Sequence, residues 1–232
     1  VRAFVQLSLN ELRLLARDPG SLFFMVAFPL MLLVLNSGNK RLEIFLPSYM
    51  AMILAIGGIA ALPGIVATYR ERKVLRRLAV TPISPVMLLG AQVAAQMVMG
   101  LAGSLVVIGA GMVVFGVAPP AHPLPLVLAF ALSALMTCAI GFVIAAVAPR
   151  ARTADLLGLM VMFPMIFLAG AAIPREGLPV ALRTVGDYLP LTQAVTAMRE
   201  GWFGTPAAPP LLLLTGIIIV CTAIAAFTFR WE

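Results

Sequence analysis

The sequence predicts an all-α integral membrane protein: six transmembrane helices preceded by an amphipathic helix at the membrane interface, with short helices between spans five and six. Three observations carry this expectation. Of 232 residues, 62% are hydrophobic and only 11% are charged, against roughly 25% charged in a soluble domain, so a water-facing surface cannot be covered. The apolar residues come in long uncharged runs, not in alternating ten-residue segments. Lipid offers no water to unpaired backbone groups, so such runs must be helices of about 20 residues. Finally, most Lys and Arg residues sit beside the runs and not within them. The length suits one helical bundle, a single domain over 1–232.

Residues 1–20 open the chain. Arg2, Gln6, Asn10, Arg13 and Arg17 recur at spacings of four, four, three and four, so they share one helical face, while Phe4, Leu7, Leu14 and Leu15 point largely the other way. This reads as an amphipathic helix lying in the interface. Glu11 falls on the apolar side, and pairing with a neighbouring segment would account for it. Asp18-Pro19-Gly20 then breaks the helix and turns the chain into the bilayer. Arg2 is followed by mixed polar and apolar positions, which does not read as a cleavable signal.

The first span, 22–36, is short and kinked near Pro29. A polar turn with Asn36, Asn39, Lys40, Arg41 and Glu43 leads to the second span, 45–68, where Gly57, Gly58, Pro63 and Gly64 mark bends. Residues 69–85 hold the densest charge cluster. From Leu78 to Pro149 there is no Asp, Glu, Lys or Arg, and the four prolines of 116–125 divide that stretch into spans 86–115 and 125–148. The earlier of these is long enough to tilt or project from the bilayer. After a polar turn at 149–155 comes the fifth span, 156–173, with Pro164 inside it. Residues 174–209 mix charges and prolines with apolar residues, as short helices at or partly within the interface would, and 210–229 is the last span.

Orientation follows from the distribution of basic residues. With the amino terminus in the cytoplasm, eleven basic residues fall inside and five outside, so both termini are expected to be cytoplasmic. The net charge of +7 therefore reports topology, and nucleic-acid binding is not expected. Cys138 and Cys221 lie in apolar runs as packing residues, His122 is the only histidine, and no metal pattern is present. The span centres carry no ionisable residue, which argues against ion-driven transport, an intramembrane metal enzyme or an acid–base hydrolase.

Four groups of residues are candidates for mechanism. In 69–85, Leu75, Leu78 and Ala79 share one side of a helix, Arg72, Lys73, Arg76 and Arg77 present a charged surface, and Thr81-Pro82 ends the helix. That arrangement suits docking onto a soluble partner, and equally a basic anchor on anionic headgroups. Small residues in span three (Gly100, Gly103, Ser104) and span four (Ala134, Thr137, Cys138, Gly141, Ala145) permit close helix packing. Met50, Met52, Met160, Met162, Phe163, Met165 and Phe167 make adaptable apolar surface in spans two and five, either along a path or as ordinary core and lipid-facing residues. Arg183, Asp187, Arg199 and Glu200 form either an outer gate of ion pairs or solvated surface.

The stretch Arg70-Glu71-Arg72-Lys73-Val74-Leu75-Arg76-Arg77-Leu78, followed by Thr81-Pro82-Ile83-Ser84, resembles the cytoplasmic loop of type-2 ATP-binding-cassette (ABC) exporter permeases, with Lys73 where that family usually has glycine. Residues 12–19, with Arg13, Arg17 and Asp18, resemble the family's elbow helix. Residues 168–201 resemble its extracellular segment of short re-entrant helices.

The resemblance implies a coupling helix in which Arg70, Glu71, Arg72, Lys73, Leu75, Arg76, Arg77, Leu78, Thr81 and Pro82 meet an ATPase subunit. It implies a dimer with a second copy or a sister permease, and a substrate path through Met50, Met52, Met160, Phe163 and Phe167, because spans two and five flank the family's dimer interface. The chain has no Gly-x-x-x-x-Gly-Lys-Ser/Thr run, so it is expected to bind no cofactor itself and not to be an enzyme; ATP and Mg would sit at a separate ABC ATPase dimer. The expected role is export of a drug, antibiotic or lipid-like compound across a bacterial plasma or inner membrane. Polysaccharide or glycolipid export is the alternative within the class, although two Trp and three Tyr make few sugar platforms. A non-transporting scaffold or sensor is the alternative outside it.

Overall fold

Apolar runs and proline positions together decide where this chain is helical and where it bends. The computed structural model describes residues 2–38, 42–72, 85–173, 175–204 and 208–228, and every regular element among them is helical. Helix α1 is Arg2–Arg17. Helix α2 covers 19–35 and α3 covers Leu42–Glu71. They are followed by α4 (Pro85–Phe115), α5 (Pro123–Val147), α6 (Ala151–Leu168), α7 (Val180–Asp187), α8 (Pro190–Phe203) and α9 (Ala208–Thr228). Helices α3, α4, α5, α6 and α9 are long and apolar enough to cross a membrane, whereas the apolar part of α2, Phe23–Leu35, is shorter. At about 1.5 Å per residue, 19–35 reaches about 25 Å, a little under the bilayer core, while α4 reaches about 46 Å and exceeds it. The fifth apolar segment starts earlier than its composition suggests: α6 begins at Ala151, and 169–173 is already turn.

Two helices change geometry just before a proline. In α2, Phe23–Ala27 is a π-helical turn, and the Phe28 N–H reaches back five residues to the Phe23 carbonyl. In α3, Ile56–Ala61 is π-helical, and the Leu62 N–H reaches Gly57 in the same way. Pro29 and Pro63 follow. A proline has no N–H to return to the carbonyl four residues behind, here Met25 and Ile59, so a wider turn absorbs the mismatch. Neighbouring glycines occupy the space at those carbonyls. A Cβ at Gly103 of α4 would lie 3.0 Å from the Met25 oxygen, and one at Gly158 of α6 would lie 2.6 Å from the Ile59 oxygen.

Helix α3 is the axis of the bundle. Its most apolar window is 83% buried, against 6% for α9, so α3 is surrounded by protein and α9 lies on the outside, packed mainly on α5. The closest approach is at the π turn. A Cβ at Gly58 would lie 2.6 Å from the Thr137 hydroxyl of α5, and a Cβ at Gly141 would overlap the Gly58 carbonyl oxygen. Small residues of α4 and α5 thus let backbones meet, as membrane helices require where packing supplies the attraction. Helix α8 completes the core with Leu191, Ala194, Met198 and Trp202 buried against α3, α5 and α9. At the end of α6, Gly170 adopts φ 72°, and the Ala171 N–H bonds the Ile166 carbonyl. That left-handed residue stops the helix, and α7 packs back against α6.

Gly141→Ala and Gly158→Ala are each expected to destabilise the fold by about 2 kcal/mol, since neither site can relax around a backbone atom. Gly109→Ala, which meets nothing within 4 Å, is expected to be neutral or slightly stabilising. Thermal unfolding of the three variants in one detergent checks this.

Candidate functional site

The charged end of α3 gathers polar contacts from α1, α4, α5 and the start of α6, and each has a local cause. Helix α5 ends at Val147, followed by Ala148 and Pro149. Pro149 has no N–H for the Ala145 carbonyl, which an unbroken helix would have bonded there. The Arg70 guanidinium supplies the missing donor at 3.2 Å, and its other terminal nitrogen donates to the Ala148 carbonyl. Helix α6 then starts with an Ala151 N–H that has no carbonyl in its own helix. It donates to the Glu71 carboxylate at 2.8 Å. A cation therefore sits at a helix C-terminus and an anion at the next N-terminus, each worth about 0.3–1 kcal/mol. This explains the early start of α6.

One residue earlier, the Tyr69 hydroxyl donates to both Glu11 oxygens of α1, at 2.6 and 2.7 Å, and the Gln92 amide of α4 adds a bond at 3.0 Å. Glu11 is only 6% exposed. Burial, partly offset by the Tyr69 bond, raises its pKa above the ordinary 4.5. The partner sought for Glu11 thus comes from α3 and α4. Beside it lies a cavity of about 440 Å³ whose wall includes Leu15, Asp18, Ala61, Ile65, Thr68 and Asp155. Arg13 and Arg17 of α1 and Asp18 just after it are exposed. So is Arg72, whose N–H closes α3 on Thr68. Lys73, Leu75, Arg76, Arg77, Leu78, Thr81 and Pro82 lie outside the described residues.

At the opposite end, Arg199 of α8 donates to the Ser48 hydroxyl of α3 at 2.9 and 3.1 Å and to the Gly170 carbonyl at 3.4 Å. Arg183 donates to the Leu178 carbonyl at 2.8 Å, and Asp187 pairs with Arg175 at 2.6 Å. Glu200 is half-buried on α8. An ion pair of this region thus uses Arg175, which sequence reasoning did not single out, and the Arg199–Ser48 bonds hold α8 against α3.

The five path candidates are not in one place. Met50 and Met52 are buried on α3, whereas Met160, Phe163 and Phe167 are exposed on α6. Met50 borders an apolar cavity of about 440 Å³ between α4 and α5, with Leu101, Leu105 and Phe130 in its wall. Phe163 borders another of about 240 Å³ between α2, α3 and α6, with Phe24 and Met162. Among the described residues no group of three His, Cys, Asp or Glu side chains is placed to hold a metal ion.

A bundle with five helices long and apolar enough to cross a membrane has the architecture of a multi-span membrane protein. The chain belongs to the ABC-2 type transporter family, whose membrane-domain model matches residues 2–203. It is also similar to Nodulation protein J from Rhizobium leguminosarum bv. viciae, at 33% identity over 78 residues, and from R. leguminosarum bv. trifolii, at 32% over 76 residues. Those alignments cover 34% and 33% of this chain and only 30% and 29% of the two relatives.

The raised pKa of Glu11 has a definite sign in pH. The folded protein holds that proton more tightly than the unfolded chain, so the stabilisation is complete below pH 4.5 and is lost as the pH climbs through the raised value. Wild type is expected to lose melting temperature relative to Glu11→Gln as the pH rises above 4.5. Tyr69→Phe, which removes the donor from a buried carboxylate, is expected to cost about 1–3 kcal/mol and to steepen that dependence. Parallel melts across pH in one detergent read both effects.

Proposed function

We propose that this chain is the transmembrane permease subunit of an ABC exporter, moving a hydrophobic or amphipathic compound such as a drug, antibiotic or lipid outward with ATP hydrolysed by a separate ATPase subunit. The observation that carries the reading is the family match over residues 2–203. It is supported by the absence of a Gly-x-x-x-x-Gly-Lys-Ser/Thr run in the sequence, which leaves phosphate binding to a partner. In this reading α2 is the first of six spans, α1 is the elbow helix in the cytoplasmic interface, and both termini are cytoplasmic in a bacterial plasma or inner membrane. The coupling helix occupies 69–85 and receives the motion of the ATPase dimer, with ATP and Mg bound there. Two permease chains, identical or sister, enclose the path between the faces bearing Met50, Met52, Met160, Phe163 and Phe167. Helices α7 and α8 form the outer segment, with Arg183, Asp187, Arg199 and Glu200 near its gate. Apolar cavity walls such as Leu101, Leu105 and Phe130 favour an apolar cargo over a sugar polymer.

The test is assembly with an ABC ATPase in lipid. Arg76→Glu with Arg77→Glu is expected to reduce co-purifying ATPase about tenfold, because opposed charges at a docking surface act on association. A fluorescent short-chain phospholipid, offered as probe to vesicles holding the wild-type complex, is expected to be moved only with ATP. ATPase retention by the charge-reversed variant would remove the docking role from this loop, and a wild-type chain that binds no ATPase would favour the scaffold reading.

A further inference from the structure

The end of α3 is where the coupling residues were expected to face a partner, yet two of them are already engaged inside the protein. Arg70 and Glu71 are consecutive, and their side chains take opposite sides of one turn: Arg70 donates to the Ala145 and Ala148 carbonyls ending α5, and Glu71 accepts the Ala151 N–H that opens α6. The order of charges matters. A cation meets the negative end of α5 and an anion meets the positive end of α6, so the reversed order would be repulsive at both ends. The turn also cannot satisfy itself, because Pro149 lacks the N–H that the Ala145 carbonyl needs.

The same three helices are fastened a second time, deeper in the bundle. There Gly141 of α5 meets the Gly58 carbonyl of α3, and Gly158 of α6 meets the Ile59 carbonyl. Along α6 the two attachments, at Ala151 and Gly158, are about 10 Å apart. A single contact leaves two helices free to pivot. Two contacts separated along the axis remove the pivot.

We propose that Arg70 and Glu71 are positioning residues that fasten the α5–α6 turn to the end of α3, so that movement applied at that end carries α3, α5 and α6 as one body. The inference rests on the permease reading above and deepens it: the stroke reaches α5 and α6 through a side-chain clamp on their turn and not only through the π-turn contact.

The test uses the chain assembled with its ABC ATPase in lipid discs, in a Cys138→Ala, Cys221→Ala background that removes the two native thiols. Arg70→Ala with Glu71→Ala is expected to lower ATP hydrolysis per assembled complex, as kcat, by about fivefold, with the KM for ATP unchanged because the nucleotide site is on the partner. Glu71→Gln keeps an acceptor oxygen for Ala151 and is expected to stay within about twofold of wild type. Glu71→Cys with Ala151→Cys, joined by a short bis-methanethiosulfonate linker, is expected to recover at least half of the wild-type rate. A merely structural role would reduce the amount of assembled complex and leave kcat per complex unchanged, which overturns the clamp. So does a linked variant that assembles but no longer hydrolyses ATP, since the turn and the end of α3 would then need to move apart. Failure of the wild-type chain to assemble with any ABC ATPase is a separate result, and it defeats the permease reading itself.

Discussion

Everything in this bundle depends on how closely α3 can approach α5 and α6. Between helices in lipid there is no water to expel, so attraction must come from packing, and packing requires that nothing stand between the backbones. Glycine at 58, 141 and 158 meets that requirement, with Thr137 filling the remaining space. The π turn before Pro63 belongs to the same constraint: it widens α3 where Gly57 and Gly58 are exposed to their neighbours, and it aims the Gly58 and Ile59 carbonyls at the glycines opposite. Once α3 is held there, its other faces receive α4 and α8, and α9 is left to cover the far side of α5.

Polar groups follow a second logic. Helix termini leave backbone donors and acceptors open, and within or near a membrane water is a poor source of partners. Side chains of neighbouring helices take its place. Arg70 and Glu71 serve the α5–α6 turn, and Tyr49 donates to the Leu32 carbonyl near the end of α2 while accepting from Asn36. Arg199 reaches from α8 to Ser48 of α3. The interior of α4 does not reach the same saturation: the Gln96 amide and the Ser104 hydroxyl are buried without a hydrogen bond among the described residues. Such groups cost stability wherever they occur, and Gln96 faces α3 at its π turn, since a Cβ at Gly57 would lie 2.6 Å from the Gln96 side-chain oxygen.

Much of this was legible from residue order. Apolar run length pointed to the five long apolar helices, because hydrophobic length is a local property. Pro29, Gly57, Gly58, Pro63 and Gly64 marked bends for reasons that are also local, although the sequence could not say that the bend would take π form. Glu11 announced a missing partner by falling on the wrong side of an amphipathic helix. Its partners, Tyr69 and Gln92, were invisible, since nothing in their own neighbourhoods points 58 or 81 residues back along the chain. The roles of Arg70 and Glu71 were hidden by their company: inside a run of like residues they read as surface charge, and only the three-dimensional position of Pro149 and Ala151 separates them from Arg72. Ser48 and Arg175 carried no signal at all.

The π turn in α3 also has a consequence for how this helix can change in length. Loops absorb insertions and deletions because their ends can be redrawn; α3 is tied at Ser48 to α8 and at Tyr69, Arg70 and Glu71 to α1, α5 and α6. Removing one residue from an ordinarily wound stretch of α3 would turn one end about 100° relative to the other. The attachments at the two ends could not then be kept together. Within 56–61 the outcome differs: the wide turn takes up about one residue more than ordinary winding, so a single-residue gap there would return the segment toward α-helical geometry and leave the two ends in nearly the same phase.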